Sequence, residues 1–102
     1  MAQFDVWEFG VKGAAGPLVV DVQNAMFDAL ATRLVVPLYP VRASDKLIQR
    51  LNPVVEIDGG NYYLAVQEMA AVRANALVKK VNSLVAHRDQ IIAAIDFLTT
   101  GI

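Results

Sequence analysis

The sequence contains no cysteine and only one histidine, His87. Without thiols there is no disulfide framework and no thiolate nucleophile, and such usage fits a reducing compartment. A lone histidine cannot build a zinc site, which takes several His or Cys ligands. On a helix flank His87 reads as a solvated residue, with a general-base role as the alternative. No run approaches the roughly 20 apolar residues of a membrane span. The opening MAQFDVWEFG lacks the basic and apolar regions of a signal peptide. The expectation is a cytoplasmic protein that makes no membrane contact. Cationic charge is scarce as well: nine Lys and Arg stand against ten Asp and Glu, for a formal net charge of −1 at pH 7. That is not the basic footprint of a protein that binds nucleic acid directly. Lys79 and Lys80 are adjacent and would point to opposite faces of a strand, which makes a poor basic patch. No glycine-rich loop follows a strand and opens a helix, so a phosphate cradle is absent. The carboxylates Asp21, Asp28, Glu56, Asp58, Glu68, Asp89 and Asp96 show no paired motif for acid–base work. The serines, Ser44 and Ser83, both read as helix caps. No catalytic residue, no metal and no cofactor are expected, and the residues alone describe a dimeric binding protein that is not an enzyme.

What the sequence does have is apolar surface. Hydrophobic residues make up 56% of 102 residues. A chain of this length forms one domain, residues 1–102, and buries roughly 60–70% of its unfolded surface. The apolar excess is assigned to a protein interface. Along the chain, Gln3 to Phe9 carries the aromatic and β-branched residues of a strand. Gly10 to Pro17 is a loop, and Leu18 to Gln23 is the second strand of a hairpin. Asn24 to Thr32 has no clean period and sets Met26 beside Phe27. That pair either plugs a local core or forms an exposed contact pair on a binding loop. Arg33 to Tyr39 is a strand in which Pro37, unable to donate to a ladder, marks an edge or a bulge. Pro40 to Asn52 contains SDKLIQRL, with Ser44 as the cap for one or two helical turns. Val54 to Ile57, then Asp58-Gly59-Gly60-Asn61, then Tyr62 to Val66 carries a strong hairpin signal, because glycine tolerates the positive φ of such turns. Met69 to Val72 and Leu77 to Val81 are further short strands.

The last stretch, Leu84 to Ile102, reads LVAHRDQIIAAIDFLTTGI. Leu84, Ile91, Ile95 and Leu98 recur at helical spacing. Ser83 can cap the start of this helix, and Gly101 can adopt the left-handed geometry of a helix stop. The chain ends on a branched hydrophobe beside a free carboxylate. This helix is expected to be a dimer seam through Ile95 and Leu98, with its tip as the working end. Asp96 is either a polar flank position or a hydrogen-bonding residue at an interface. Six or seven short strands and one terminal helix make the fold class mainly β, a small curved antiparallel sheet or barrel with the helix covering one end or edge.

With the elements placed, the sequence resembles the CcdB family, toxins of bacterial toxin–antitoxin modules that poison DNA gyrase. The similarity is carried by Val20-Asp21-Val22-Gln23, Arg33-Leu34-Val35-Val36-Pro37-Leu38, Ser44-Asp45-Lys46, Pro53-Val54-Val55 and the ending Ala94-Ile95 through Gly101-Ile102, in that order and spacing. The resemblance implies the small SH3-like barrel shared with MazF-type ribonuclease toxins. It implies a homodimer joined along the C-terminal helices, whose paired tips enter the gyrase A-subunit cleft and trap the enzyme on cut DNA. It maps the gyrase-binding tip onto Thr100, Gly101 and Ile102. Here Thr100 replaces the family's tryptophan and Thr99 a phenylalanine, so hydroxyls and methyls stand where an aromatic anchor would be. The neutralising partner implied is a CcdA-like antitoxin with a disordered C-terminal tail, mapped onto Met26, Phe27, Asp96 and Thr99. Met26 and Phe27 stand in place of a pair of isoleucines, and Asp96 in place of an asparagine. A MazF-like endoribonuclease on the same barrel, which would need an acid–base pair and a basic groove, and an inactive relative that only binds antitoxin are the alternatives.

Overall fold

Side chains alternate across a strand, and here the alternation splits one bent sheet into two unequal faces. Val20 and Val22, Val36 and Leu38, and Val55 and Ile57 point to one side and join Phe4, Val6, Leu64, Val66, Leu84, Ile91 and Ala94 in the main core. Val19, Val35 and Leu77 point to the other side, where Trp7, Phe9 and Val72 pack against them in a smaller cluster. The computed structural model describes residues 1–11, 13 and 16–102. Among them the strands are β1 (Asp5–Phe9), β2 (Leu18–Asp21), β3 (Thr32–Pro40), β4 (Val54–Ile57), β5 (Gly60–Leu64), β6 (Ala70–Arg73) and β7 (Leu77–Ser83), followed by helix α1 (Arg88–Thr100). Short 3-10 turns lie at Ala25–Phe27, Val66–Glu68, Ala74–Ala76 and Val85–His87. All pairings are antiparallel, in the order β4-β5-β3-β2-β1-β7, with β6 also on β3. The mainly β half-barrel with one C-terminal helix is the architecture expected. The expected loop Gly10–Pro17 joins β1 to β2, and its residues 12, 14 and 15 lie outside the described residues.

The first strand begins at Asp5 rather than Gln3 because Phe4 takes a positive φ of 70°. Phe4 is buried there, accepts a bond from the Leu84 amide and donates to Asp21. It thereby ties the start of the chain to the end of β2 and to the approach to α1. The β4–β5 turn is tighter than the four residues expected. Asp58 and Gly59 both have positive φ, 51° and 81°, and Ile57 pairs with Gly60 across a two-residue turn.

Pro37 marks neither an edge nor a bulge. It sits in β3, the central strand, opposite Val19 of β2. On its other side β3 changes partner: Thr32 to Val35 pair with β6, and Leu38 to Pro40 with β5. The Pro37 carbonyl, on the side of that change, accepts from the Ala65 amide at 2.9 Å. The N–H and C=O of a strand residue point the same way, so the donor missing from proline faces a break where no ladder bond is made.

The helical turns expected around Ser44 do not form, and Ser44 caps nothing. Asp45 accepts the Arg42 amide at 2.7 Å, and Asn52 accepts the Ile48 amide at 3.1 Å. Such local side-chain bonds compete with a helix. Asn52, which is buried, also donates to the Leu64 carbonyl and the Gln67 side chain, pinning this segment to the sheet.

The terminal helix starts later than expected. Ser83 Oγ accepts from the Val85 amide at 3.4 Å, over a 3-10 turn, and α1 opens at Arg88 behind His87. Ile91 and Ala94 are fully buried against the main core, with Ile92, Ile95 and Phe97 packed at its margin. Truncating a fully buried isoleucine such as Ile91 to alanine costs about 2–5 kcal/mol. Leu84 and Ile91, two members of the apolar stripe, are thus used up inside the chain's own core.

Candidate functional site

The C-terminal tip is shaped by bonds from the helix end. Gly101 has φ 76° and ψ 11°, and its amide closes onto the Phe97 carbonyl at 2.9 Å. A Cβ built on Gly101 would meet nothing within 4 Å. A side chain there would therefore cost chiefly the left-handed conformation, about 1–2 kcal/mol. The Thr100 hydroxyl donates to the Asp96 carbonyl at 2.6 Å and accepts from the Ile102 amide at 3.3 Å. Thr99 donates to the Ile95 carbonyl at 3.0 Å. These hydroxyls bond back to carbonyls one turn earlier in the helix, which the helical ladder itself already uses. Both threonines are exposed, and their hydroxyls are engaged within the helix end. Ile102, 83% exposed, projects beyond them. Asp96 and Leu98 are exposed, and Ile95 is half-buried on its own core. The Arg50 guanidinium lies 4.4 Å from the Phe97 ring centroid and holds the last turn of α1 to the segment before β4. A groove of about 540 Å³, lined among others by Leu47, Arg50, Val54, Gln90 and Ala93, runs between that segment and the helix.

The second candidate surface is the loop between β2 and β3. Met26 is 79% and Phe27 50% exposed, with Leu30 exposed beside them, so the pair plugs no core. The loop is fixed from below by polar groups. Arg33, buried at the start of β3, donates Nε and Nη2 to Asp21 Oδ2 at 3.0 and 2.6 Å, and Nη1 to Asp28 Oδ1 at 2.6 Å. Burial alone would lower its pKa, but the hydrogen bonds and charges of Asp21 and Asp28 together outweigh this and hold it above the ordinary value. Gln23 donates to the Phe27 and Thr32 carbonyls and accepts from the Leu34 amide. Sequence reading missed this network. Its signal is a charged residue inside each of two apolar segments, VDV and RLVV, since unlike charges that enter a core must pair.

Among the described residues no hydrogen bond or ion pair joins Met26 or Phe27 to Asp96 or Thr99. The loop root is bonded through Phe4 to the approach to α1, whereas Asp96 and Thr99 belong to the far end of that helix. His87 stands at the helix start, its Nδ1 3.3 Å from Gln90 Oε1. One acid–base pairing forms where none was expected: the Tyr39 hydroxyl donates to Glu68 Oε1 at 2.7 Å. That bond, then desolvation, raises the Tyr39 pKa. The Tyr63 ring lies 5.6 Å from that of Tyr39, beside a 260 Å³ hollow shared with Arg42 and Asp45. Among the described residues no helix is long and apolar enough to cross a membrane.

A family model described as "CcdB protein" matches residues 3–101, nearly the whole chain. Two solved structures share the fold. An endoribonuclease in complex with its cognate antitoxin from a Mycobacterial species superposes with a TM-score of 0.74 at 15% identity, covering 94% of this chain and 91% of that one. An endoribonuclease from a Mycobacterial species gives 0.70 at 14% identity, covering 94% and 88%. At such identity the likeness is one of fold. The expectation that the chain is not an enzyme does not stand against it, because the same fold occurs in proteins named as nucleases.

Proposed function

The chain belongs to the CcdB family, toxins of toxin–antitoxin systems, and on that premise we propose that it binds the A-subunit of DNA gyrase, traps the gyrase–DNA cleavage complex and is neutralised by a CcdA-like antitoxin. The observation that carries this reading is the tip: a left-handed Gly101 closes α1 and projects an exposed Ile102 from a packed helix. A helix end has little conformational freedom left to lose, so a short segment can bind. Leu98 and the margin of Ile95 form the homodimer contact. A two-fold axis uses the same patch on both chains and presents two tips to a two-fold target. The second tip then gains from effective concentration. Thr100, Gly101 and Ile102 engage gyrase, while Met26, Phe27, Asp96 and Thr99 receive the disordered antitoxin tail. Incubating purified gyrase and supercoiled plasmid with the protein, then denaturing, tests the proposal. Linear DNA that depends on the protein supports it, and its absence at saturating protein refutes it.

A second reading, endoribonuclease activity, is favoured by the fold shared with the two nucleases and by the Tyr39–Glu68 pair beside Arg42. RNA cleavage that is lost in Glu68→Gln while gyrase remains untouched would select this reading instead.

A further inference from the structure

The loop from Asn24 to Ala31 exposes every one of its residues. A segment that buries no side chain ordinarily opens easily. Here two polar clamps converge on the Phe27 carbonyl and the Asp28 carboxylate. The first is the Arg33 guanidinium, itself 1% exposed, held by Asp21 and reaching Asp28 Oδ1 at 2.6 Å. Asp28 in turn closes the 3-10 turn, its amide donating to the Ala25 carbonyl at 3.1 Å. The second is the Gln23 carboxamide, which donates to the Phe27 carbonyl at 3.0 Å and is fixed by the Leu34 amide at 2.9 Å. Asn24 caps the turn from its other end, accepting the Met26 amide at 2.9 Å. A buried ion pair contributes less to stability than a well-packed apolar pair would, but it specifies one geometry. The geometry specified here is that of two adjacent, solvent-facing hydrophobes.

We infer that Arg33, Asp28 and Gln23 are positioning residues that pre-organise Met26 and Phe27 as a rigid apolar anchor for a segment of the antitoxin that folds on binding. This rests on the reading of the loop as the antitoxin surface. A disordered partner carries its own ordering cost, so a surface whose turn is already fixed adds less further cost. Asp28 acts through Phe27, at the exposed end of a buried charge relay, and not by touching the partner.

The test combines amide hydrogen exchange on the free protein with a double-mutant cycle. The binding probe is a set of synthetic peptides tiling the C-terminal tail of a CcdA-like antitoxin. In Asp28→Ala, exchange at the Phe27, Asp28 and Leu30 amides should accelerate while the Val36 and Leu38 amides of β3 keep their protection. Peptide affinity should fall about tenfold, and Asp28→Glu should recover part of it. In a Phe27→Ala background the same Asp28→Ala change should cost nothing further, since its route is gone. Unchanged exchange in the loop, or an equal loss of affinity in both backgrounds, would overturn the inference. If Phe27→Ala leaves every peptide affinity intact, the antitoxin reading of this surface fails, while the exchange data still decide whether the clamp orders the loop.

Discussion

Asp21→Ala removes one half of a charge pair that the fold has closed off from water. Asp21 is 0% and Arg33 1% exposed. Asp21 Oδ2 accepts both Arg33 Nε and Nη2, and Oδ1 accepts the Gln23 amide at 3.0 Å. Truncation leaves a guanidinium inside the protein with Asp28 as its remaining counter-charge, and strands three N–H groups. Breaking a buried pair in this way costs about 3–5 kcal/mol, and the lost Gln23 bond adds about 1 kcal/mol. A protein of this length is stable by about 5–15 kcal/mol, so the change removes roughly a quarter or more of the total. At about 4–8 °C per kcal/mol, the midpoint of thermal unfolding should drop by roughly 16–48 °C. Urea titration followed by the fluorescence of Trp7, at one fixed protein concentration, measures this directly. The midpoint should fall with the slope unchanged. Replacing both partners, Asp21→Val with Arg33→Met, should recover most of the loss, because no buried charge is then left alone. A loss below about 1 kcal/mol for Asp21→Ala, the value of a solvent-exposed pair, would refute the burial argument.

Leu98 is exposed in the isolated protomer, so Leu98→Ala should leave the barrel intact and weaken only the homodimer; sedimentation velocity at micromolar concentration checks this, and a wild-type protein that sediments as a stable monomer contradicts the dimer. Phe27→Ala should reduce antitoxin affinity while unfolding is nearly unaffected, since Phe27 is half-exposed; an unfolded variant would contradict the exposed placement of the loop. Tyr39 donates to Glu68 and its pKa is raised in the folded state. Its contribution is therefore present below the unfolded value near pH 10 and lost as pH rises through the folded value. The gap between wild type and Tyr39→Phe should be at most about 1 kcal/mol at neutral pH, because the pair is partly solvated. A gap that widens above pH ~10 has the wrong sign.

Much of the fold was legible because its signals are local. Asp58-Gly59 specifies its own turn, alternating valines specify a strand with an inside and an outside, and Gly101 specifies a helix stop. Most of the failures have a non-local cause. Pro37 looked like an edge residue because nothing in its neighbourhood reveals that β3 changes partner at that point. SDKLIQRL looked helical because the sequence does not reveal that Asn52 is committed to Leu64 and Gln67. The helix start slipped from Ser83 to Arg88 because Leu84 is taken into the core beside Phe4. In the candidate site the exposed pair Met26–Phe27 and the tip could be named from the chain. The clamp beneath the loop could not, because Arg33 meets Asp21 across two strands. Tyr39 and Glu68 escaped notice for the same reason: they are 29 residues apart.

On the proposed reading, gyrase poisoning rests on Thr100, the last residue of α1, and on the two residues that follow it. The most direct measurement is the amount of plasmid DNA trapped as cleaved complex by purified gyrase, with the intact chain and with the chain lacking Gly101 and Ile102. Neither residue contributes to the core, and both are exposed, so the shortened protein should keep its fold and its antitoxin binding. The intact chain is predicted to accumulate cleaved complex and the shortened chain to accumulate none. Equal trapping by the two proteins, or none by the intact chain, would contradict the assignment of the tip to gyrase.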